Sequence, residues 1–184
     1  MTCRQRPWPK AWLMTDERVG KRLWETIDRL PIKHSGIVFR HYNTPTEARV
    51  TLAERIADIC HRRSLALAIA RDVDLARLLG ADLVHNPSEP PFDRPFSRSV
   101  HSIEEAEAAK TEGAALVFVS PVRATRSHPG QKPLTQSMAR RIIEASGAPA
   151  IALGGMNERN FPPYEREGFY GWAGIDAWLG GGSA

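Results

Sequence analysis

Residues 65–70, LALAIA, form an unbroken apolar run, and residues 115–119, ALVFV, repeat the pattern further along. A strand with one face in water alternates apolar and polar side chains. An unbroken run of this length between helix-period segments reads as a strand covered on both faces, as in a parallel sheet. Working outward, strands are expected at residues 11–15 (AWLMT), 36–40 (GIVFR), 83–85 (LVH), 97–101 (SRSVH), 116–120 (LVFVS), 150–153 (AIAL) and 171–175 (GWAGI), which with the first run make eight candidates.

The intervening segments change period. Residues 18–30 put Val19, Leu23 and Ile27 on one helical face, and residues 46–63 carry Val50, Ala53, Ile56, Ala57 and Cys60 as a stripe, with Thr46 expected as N-cap. Further helices are expected at 73–79, ended by Gly80, at 103–112, stopped by Gly113, at 134–146, and weakly at 158–166. Eight strands separated by helices predict an α/β protein of the TIM (β/α)8 barrel type. An open doubly wound sheet finds no GxGxxG or GxxxxGK[ST] after the first strand to support it. At 184 residues the barrel must be slightly trimmed. The proline-rich stretch 86–95 predicts a weak helix after the fourth strand, and the short tail beyond Ile175 predicts a stub for the last. Residues 1–184 read as a single domain, with 1–10 as a flexible arm.

A hydrophobic content of 42%, 25% charged residues and no low-complexity tract are those of an ordinary globular chain. The net charge of +4 comes from Arg and Lys scattered along the helices, which argues against a nucleic-acid surface and suits a phosphorylated small ligand. No apolar run approaches a membrane span and the N-terminus lacks a signal h-region, so no membrane partner and a cytoplasmic location are expected. Cys3 and Cys60 share no ligand spacing and read as free thiols, with no zinc site. Self-association into a homo-oligomer is left open.

In such a barrel the ligand sits at the carboxyl ends of the strands. Gly154 and Gly155 follow the seventh strand and Gly174 ends the eighth, where amides without a Cβ can approach phosphate; a plain tight turn explains the first two equally well. The long loop at 120–134 offers Thr125, Arg126, Ser127 and His128 as oxyanion donors. His101, ending the fifth strand, is the natural proton carrier near neutral pH, although an isolated histidine is more often structural. His85 ends the fourth strand with the same ambiguity, and His34, His41 and His61 read as surface residues.

The combination GADLVH at 80–85, SVHSIEEAEAAKTEGAALVFVSPV at 99–122, TRSHPG at 125–130 and PAIALGGM at 149–156 resembles the thiamine phosphate synthase and TenI-type thiazole tautomerase superfamily. The resemblance spans about residues 11–178. It implies a barrel that binds a thiazole phosphate and, in the synthases, a pyrimidine pyrophosphate with magnesium. The synthase pattern is kept at Arg40, Thr125 and Ser127 but departs elsewhere: Val38 and Tyr42 flank Arg40, His128 stands for the loop lysine, and Arg71 and Pro90 stand where two magnesium carboxylates would be. Asp72, Asp74, Glu89 and Asp93 lie near in sequence as conceivable substitutes. A guanidinium at Arg71 repels a metal ion yet can itself bind phosphate.

The resemblance to the tautomerases assigns general acid/base work to His101, with no metal site and no cofactor, and anion binding to Arg40, Arg71, Thr125, Ser127, His128, Gly154, Gly155 and Gly174. Two alternatives stand beside it. One is thiamine phosphate synthase itself, using magnesium; the other is a catalytically silent barrel that binds or senses a phosphorylated ligand.

Overall fold

In the computed structural model, which describes residues 7–91, 93–125 and 130–179, the eight runs become eight parallel strands that pair in chain order. They are β1 (Ala11–Met14), β2 (Ser35–Phe39), β3 (Ala66–Ala70), β4 (Leu83–His85), β5 (Phe96–Val100), β6 (Leu116–Val119), β7 (Ala150–Leu153) and β8 (Gly171–Gly174). The ladder between β1 and β8, Ala11 beside Trp172 and Leu13 beside Gly174, closes the barrel.

Contacts across the barrel decide which residues face inward. Trp12 on β1 meets Phe118 on β6 edge to face with centroids 5.8 Å apart, and Phe118 meets His85 on β4 at 5.0 Å. Strands so far apart around the ring can touch only through the interior. With a period of two and the observed registers, Met14, Val38, Ala70, Leu83, Ser97 and Ser99 share that inner face. Trp12 is fully buried, and removing about 200 Å² of its surface from water stabilises the fold by roughly 5 kcal/mol. The ring needs room, and its neighbour in register supplies it: a Cβ built on Gly36 would lie 2.4 Å from two atoms of the Trp12 ring.

The helices are α1 (Leu23–Asp28), α2 (Thr46–Arg63), α3 (Val73–Leu78), α4 (Ile103–Glu112), α5 (Gln136–Ser146) and α6 (Pro162–Arg166). Where a single helix was expected at 18–30, Gly20 at φ 54°, ψ −133° splits the segment into a 3-10 turn, Glu17–Arg22, and α1. Thr46 is not the cap of α2: the extended Pro45 holds that position and its carbonyl accepts from Arg49 N, so the threonine hydroxyl makes no cap bond. Gly113 ends α4 in the left-handed conformation, with Ala114 N donating to Ala109 O at 2.9 Å, the Schellman arrangement.

Both trims have a physical replacement. Between β4 and β5 no helix forms among the described residues; instead Arg94 donates to the carbonyls of Ala76 and Ala81, and Arg77 pairs with Asp93 at 3.1 Å. After β8 the described residues form the 3-10 turn Asp176–Trp178, whose Trp178 ring stacks on Trp172 at 4.9 Å and covers the β8 seam as a helix would. No helix is long and apolar enough to cross a membrane among the described residues.

Among the described residues the barrel interior holds one titratable side chain, His85, 2% exposed. Its Nδ1 lies 2.9 Å from Ser97 Oγ and its Nε2 3.3 Å from Ser99 Oγ, which accepts from Asn86 Nδ2. Burial, reinforced by the charges of Arg40, Arg98 and Arg71, pushes the imidazole down to about 3, so it is neutral at any ordinary pH.

Two outcomes follow. Gly36→Ala should cost about 2 kcal/mol through overpacking against Trp12, read as a lower urea midpoint with unchanged slope; an unchanged midpoint would mean that the ring moves aside freely. For His85 the folded value lies below the ordinary 6.5, so its stabilising contribution is complete above that value and is lost as pH falls towards about 3. Between pH 7 and pH 5 this group alone removes about 2 kcal/mol of unfolding free energy, and His85→Gln should flatten that slope, whereas identical pH dependence of variant and native protein would contradict the assignment.

Candidate functional site

The carboxyl ends of the strands gather the polar residues expected there, and they fall into two unlike halves. At the end of β1, Thr15 is fully buried, and its Oγ1 accepts from Arg40 N at 2.9 Å. The hydroxyl proton is thereby free to go to His41 Nδ1, 3.0 Å away, which leaves the histidine proton on Nε2. His41 is thus not the surface residue its sequence context suggests: it is 6% exposed and stacked on Phe39, with centroids 5.0 Å apart. Burial holds its imidazole below the ordinary value, against the opposing pull of Glu17 and Asp16. His34 and His61 are exposed as expected.

Arg40 is braced against β1, with Nε donating to Thr15 O at 2.9 Å and a terminal nitrogen to Asp16 Oδ2 at 3.1 Å. Two of the five N–H donors of its guanidinium are used this way. At the end of β3, Arg71 is exposed and lies over the Tyr42 ring, 4.5 Å from its centroid. Arg49 reaches in from α2 and pairs with Asp72 at 2.8 Å while also donating to Ala70 O. Three guanidinium groups therefore crowd the ends of β2 and β3; burial raises the Tyr42 hydroxyl above its ordinary value, against the opposing pull of Arg40, Arg71 and Arg49.

This half of the mouth also carries backbone strain. His41, Arg71 and Asn86, just after β2, β3 and β4, have φ of 21°, 66° and 49°. Left-handed backbone at a non-glycine residue costs on the order of 1 kcal/mol and persists where the surroundings impose it. Here they do: Arg71 N donates to His85 O and Asn86 N to Ser97 O, both at 2.8 Å, while the Asn86 side chain accepts from Ser99 N at 2.7 Å.

His101 stands immediately after β5, about half exposed, where the inward alternation of Ser97 and Ser99 turns it to the mouth. Glu105 Oε2 accepts from its backbone N–H at 2.6 Å and meets Nδ1 at 2.9 Å. Ser120 N donates to Val100 O, which sets the start of the β6 loop beside it. In that loop Thr125 is half-buried, whereas Ser127 and His128, with Arg126, lie outside the described residues.

The other half is built from backbone. Gly154 and Gly155 have φ of 105° and 60°. A Cβ on Gly155 would lie 2.6 Å from Ala124 O, and one on Gly154 3.2 Å from Arg123 O, so both glycines are required where the β7 turn packs under the β6 loop. Neither amide has a backbone acceptor among the described residues. Gly174 allows β8 to pass Met156, whose carbonyl oxygen would be 2.9 Å from an added Cβ. A helix N-terminus does not assist here, since α6 begins only at Pro162.

The carboxylates near this mouth are committed. Asp16 pairs with Arg40, Asp72 pairs with Arg49 and caps α3 through Leu75 N, and Asp74 and Asp93 both pair with Arg77. Among the described residues no three His, Cys, Asp or Glu side chains converge as a metal cluster. With Arg71 at the β3 end and Asp16, Asp72 and Asp93 each paired with a guanidinium, these side chains do not fit a hard divalent cation that asks for free oxygen ligands; Glu89 is exposed and has no ion pair among the described residues. A cleft of about 310 Å³ lined by Val122, Arg123, Leu134, Asn160 and Tyr164, among others, lies between the β6 loop and α6, and touches neither Arg40 nor His101.

Two contributors are absent from the sequence-based expectations. Arg49 gave no signal, because its approach depends on α2 lying across β3. Glu105 did, as the last residue of a Ser-x-x-Glu capping box starting at Ser102.

Comparison with known proteins agrees with this layout. A family model described as thiamine monophosphate synthase matches residues 93–178. A protein of Aquifex aeolicus provisionally named thiamine-phosphate synthase 2 is 28% identical over 184 residues, covering 93% of this chain and 98% of that one. The bifunctional thiamine biosynthesis protein ThiM/ThiE of Symbiobacterium thermophilum is 32% identical across 78% of this chain, which spans only 32% of that longer protein. The thiamine phosphate pyrophosphorylase of Pyrococcus furiosus superposes with a TM-score of 0.78, covering 94% of this chain and 88% of that one at 24% identity, a likeness of fold. Sequence over the second half of the barrel, sequence over nearly the whole chain and the closed eight-stranded architecture point the same way: this chain is similar to the thiamine phosphate synthase and TenI superfamily.

Proposed function

We propose that the protein is a metal-independent, TenI-like enzyme that moves a proton on a phosphorylated thiazole, with His101 as general acid and base. The observation that supports this reading is the site's charge distribution: His101 follows β5, in chain order between the guanidinium groups at β2 and β3 and the glycine turns of β7 and β8, and Asp72, next to Arg71, is held by Arg49. Such a reaction is redox-neutral and needs no leaving group. One ring carbon loses a proton to His101, the electron pair shifts through the ring, and the same imidazolium returns the proton at a second atom.

In this reading the phosphate takes the amides of Gly154 and Gly155 beside Gly174, while Arg40 and Arg71 hold a second anionic group across the barrel. Thr125, Ser127 and His128 are further proposed donors to the ligand's anionic groups. The names of the relatives favour a second reading, thiamine phosphate synthase, which would need magnesium to stabilise departing pyrophosphate. A silent binding barrel is the third.

One assay separates the three. Proton exchange on a thiazole carboxylate phosphate should proceed in EDTA and fall by about a hundredfold or more in His101→Ala, while thiamine phosphate formation should be negligible with or without added Mg²⁺. Robust magnesium-dependent thiamine phosphate formation would establish the synthase instead, and phosphate binding without either reaction would establish the silent barrel.

A further inference from the structure

Glu105 does more at His101 than helix capping requires. It is the third residue after the N-cap Ser102, whose Oγ accepts from Glu105 N at 3.2 Å. In a capping box the returning carboxylate accepts from the N–H of the N-cap residue itself; here Oε2 instead accepts from the N–H one residue earlier, His101 N, at 2.6 Å. The same oxygen also meets the ring at Nδ1, 2.9 Å away. Capping alone would leave the imidazole free to turn.

A carboxylate offers only acceptors, so the Nδ1 contact requires the ring to be the donor. In a neutral imidazole one nitrogen donates and the other accepts. With the proton on Nδ1, the lone pair belongs to Nε2, which has no partner among the described residues. We infer that Glu105 is the positioning residue of this site: it holds His101 as the Nδ1–H tautomer, so that Nε2 is the atom that takes and returns the substrate proton. The inference rests on the acid/base role proposed for His101. It adds which nitrogen acts and what keeps it in that state, in the way that outer partners commonly orient a working histidine.

The test reads the tautomer directly. In protein labelled with ¹⁵N-histidine, the His101 signals, identified by their loss in His101→Gln, should show a protonated Nδ1 and an unprotonated Nε2 in the neutral ring. Glu105→Ala should shift them towards the Nε2–H form that free imidazole favours in water. It should also lower kcat about tenfold or more with KM little changed. Glu105→Gln retains an acceptor oxygen and should restore the Nδ1–H signature and much of the rate. Ser102→Ala, which removes the cap hydroxyl but leaves the carboxylate, controls for helix destabilisation and should keep the native tautomer. An Nδ1–H ring that persists in Glu105→Ala, or one lost equally in Ser102→Ala, would overturn the positioning role. Absence of thiazole proton exchange in the native protein, with the tautomer pattern as expected, would count against the proposed reaction and leave the tautomer assignment standing.

Discussion

Everything at the mouth of this barrel depends on how its interior is filled. The inner face holds Trp12 and Phe118 edge to face, and the bulk of Trp12 is accommodated because the neighbouring strand presents Gly36 in register. Interiors packed at this density cannot absorb an extra methyl group without moving something. The same packing that closes β8 on β1 therefore fixes the angular position of every strand end. It also places His85 under the mouth, where a charged group could not survive without solvent and a neutral imidazole can, with a partner on each nitrogen.

On that platform charge is distributed unevenly. Guanidinium groups from β2, β3 and α2 occupy one side together with left-handed backbone at three successive strand ends, while the opposite side, β7 and β8, offers amides and glycines. Strand order around the ring sets β3 opposite β7, so a ligand with an anionic group at each end would span the mouth, with His101 after β5 a quarter turn from either end. A cation-assisted reaction needs oxygen ligands, and Asp16, Asp72 and Asp93 already pair with arginines. This arrangement is what the proposed reaction, proton movement on a bound anion, would require.

Much of the fold could be read from sequence because strands buried on both faces write themselves as unbroken apolar runs, LALAIA above all. Local chemistry was less secure: Thr46 is a good capping residue by type, yet Pro45 imposes the extended backbone a cap needs, and Gly20 interrupts an otherwise helical period. His101, Arg40, Arg71 and the glycines could be found as strand-end residues, because position along a strand is a local property. His41 could not, since its burial depends on Thr15, 26 residues earlier in the chain. Arg49 escaped for the same reason. Glu105 was legible as a helix cap, but its second contact, to the imidazole, needed the geometry.

The central claim is that this mouth binds a phosphorylated thiazole between backbone amides and guanidinium groups without a metal ion. A crystal structure of the protein soaked with thiazole carboxylate phosphate in the presence of Mg²⁺ tests it most directly. The account predicts phosphate oxygens on the amides of Gly154 and Gly155, thiazole ring atoms within hydrogen-bond reach of His101 Nε2, and no metal density near Arg71. A magnesium ion bridging ligand oxygens to side chains at the ends of β3 and β4, or a ring bound away from His101, would contradict it.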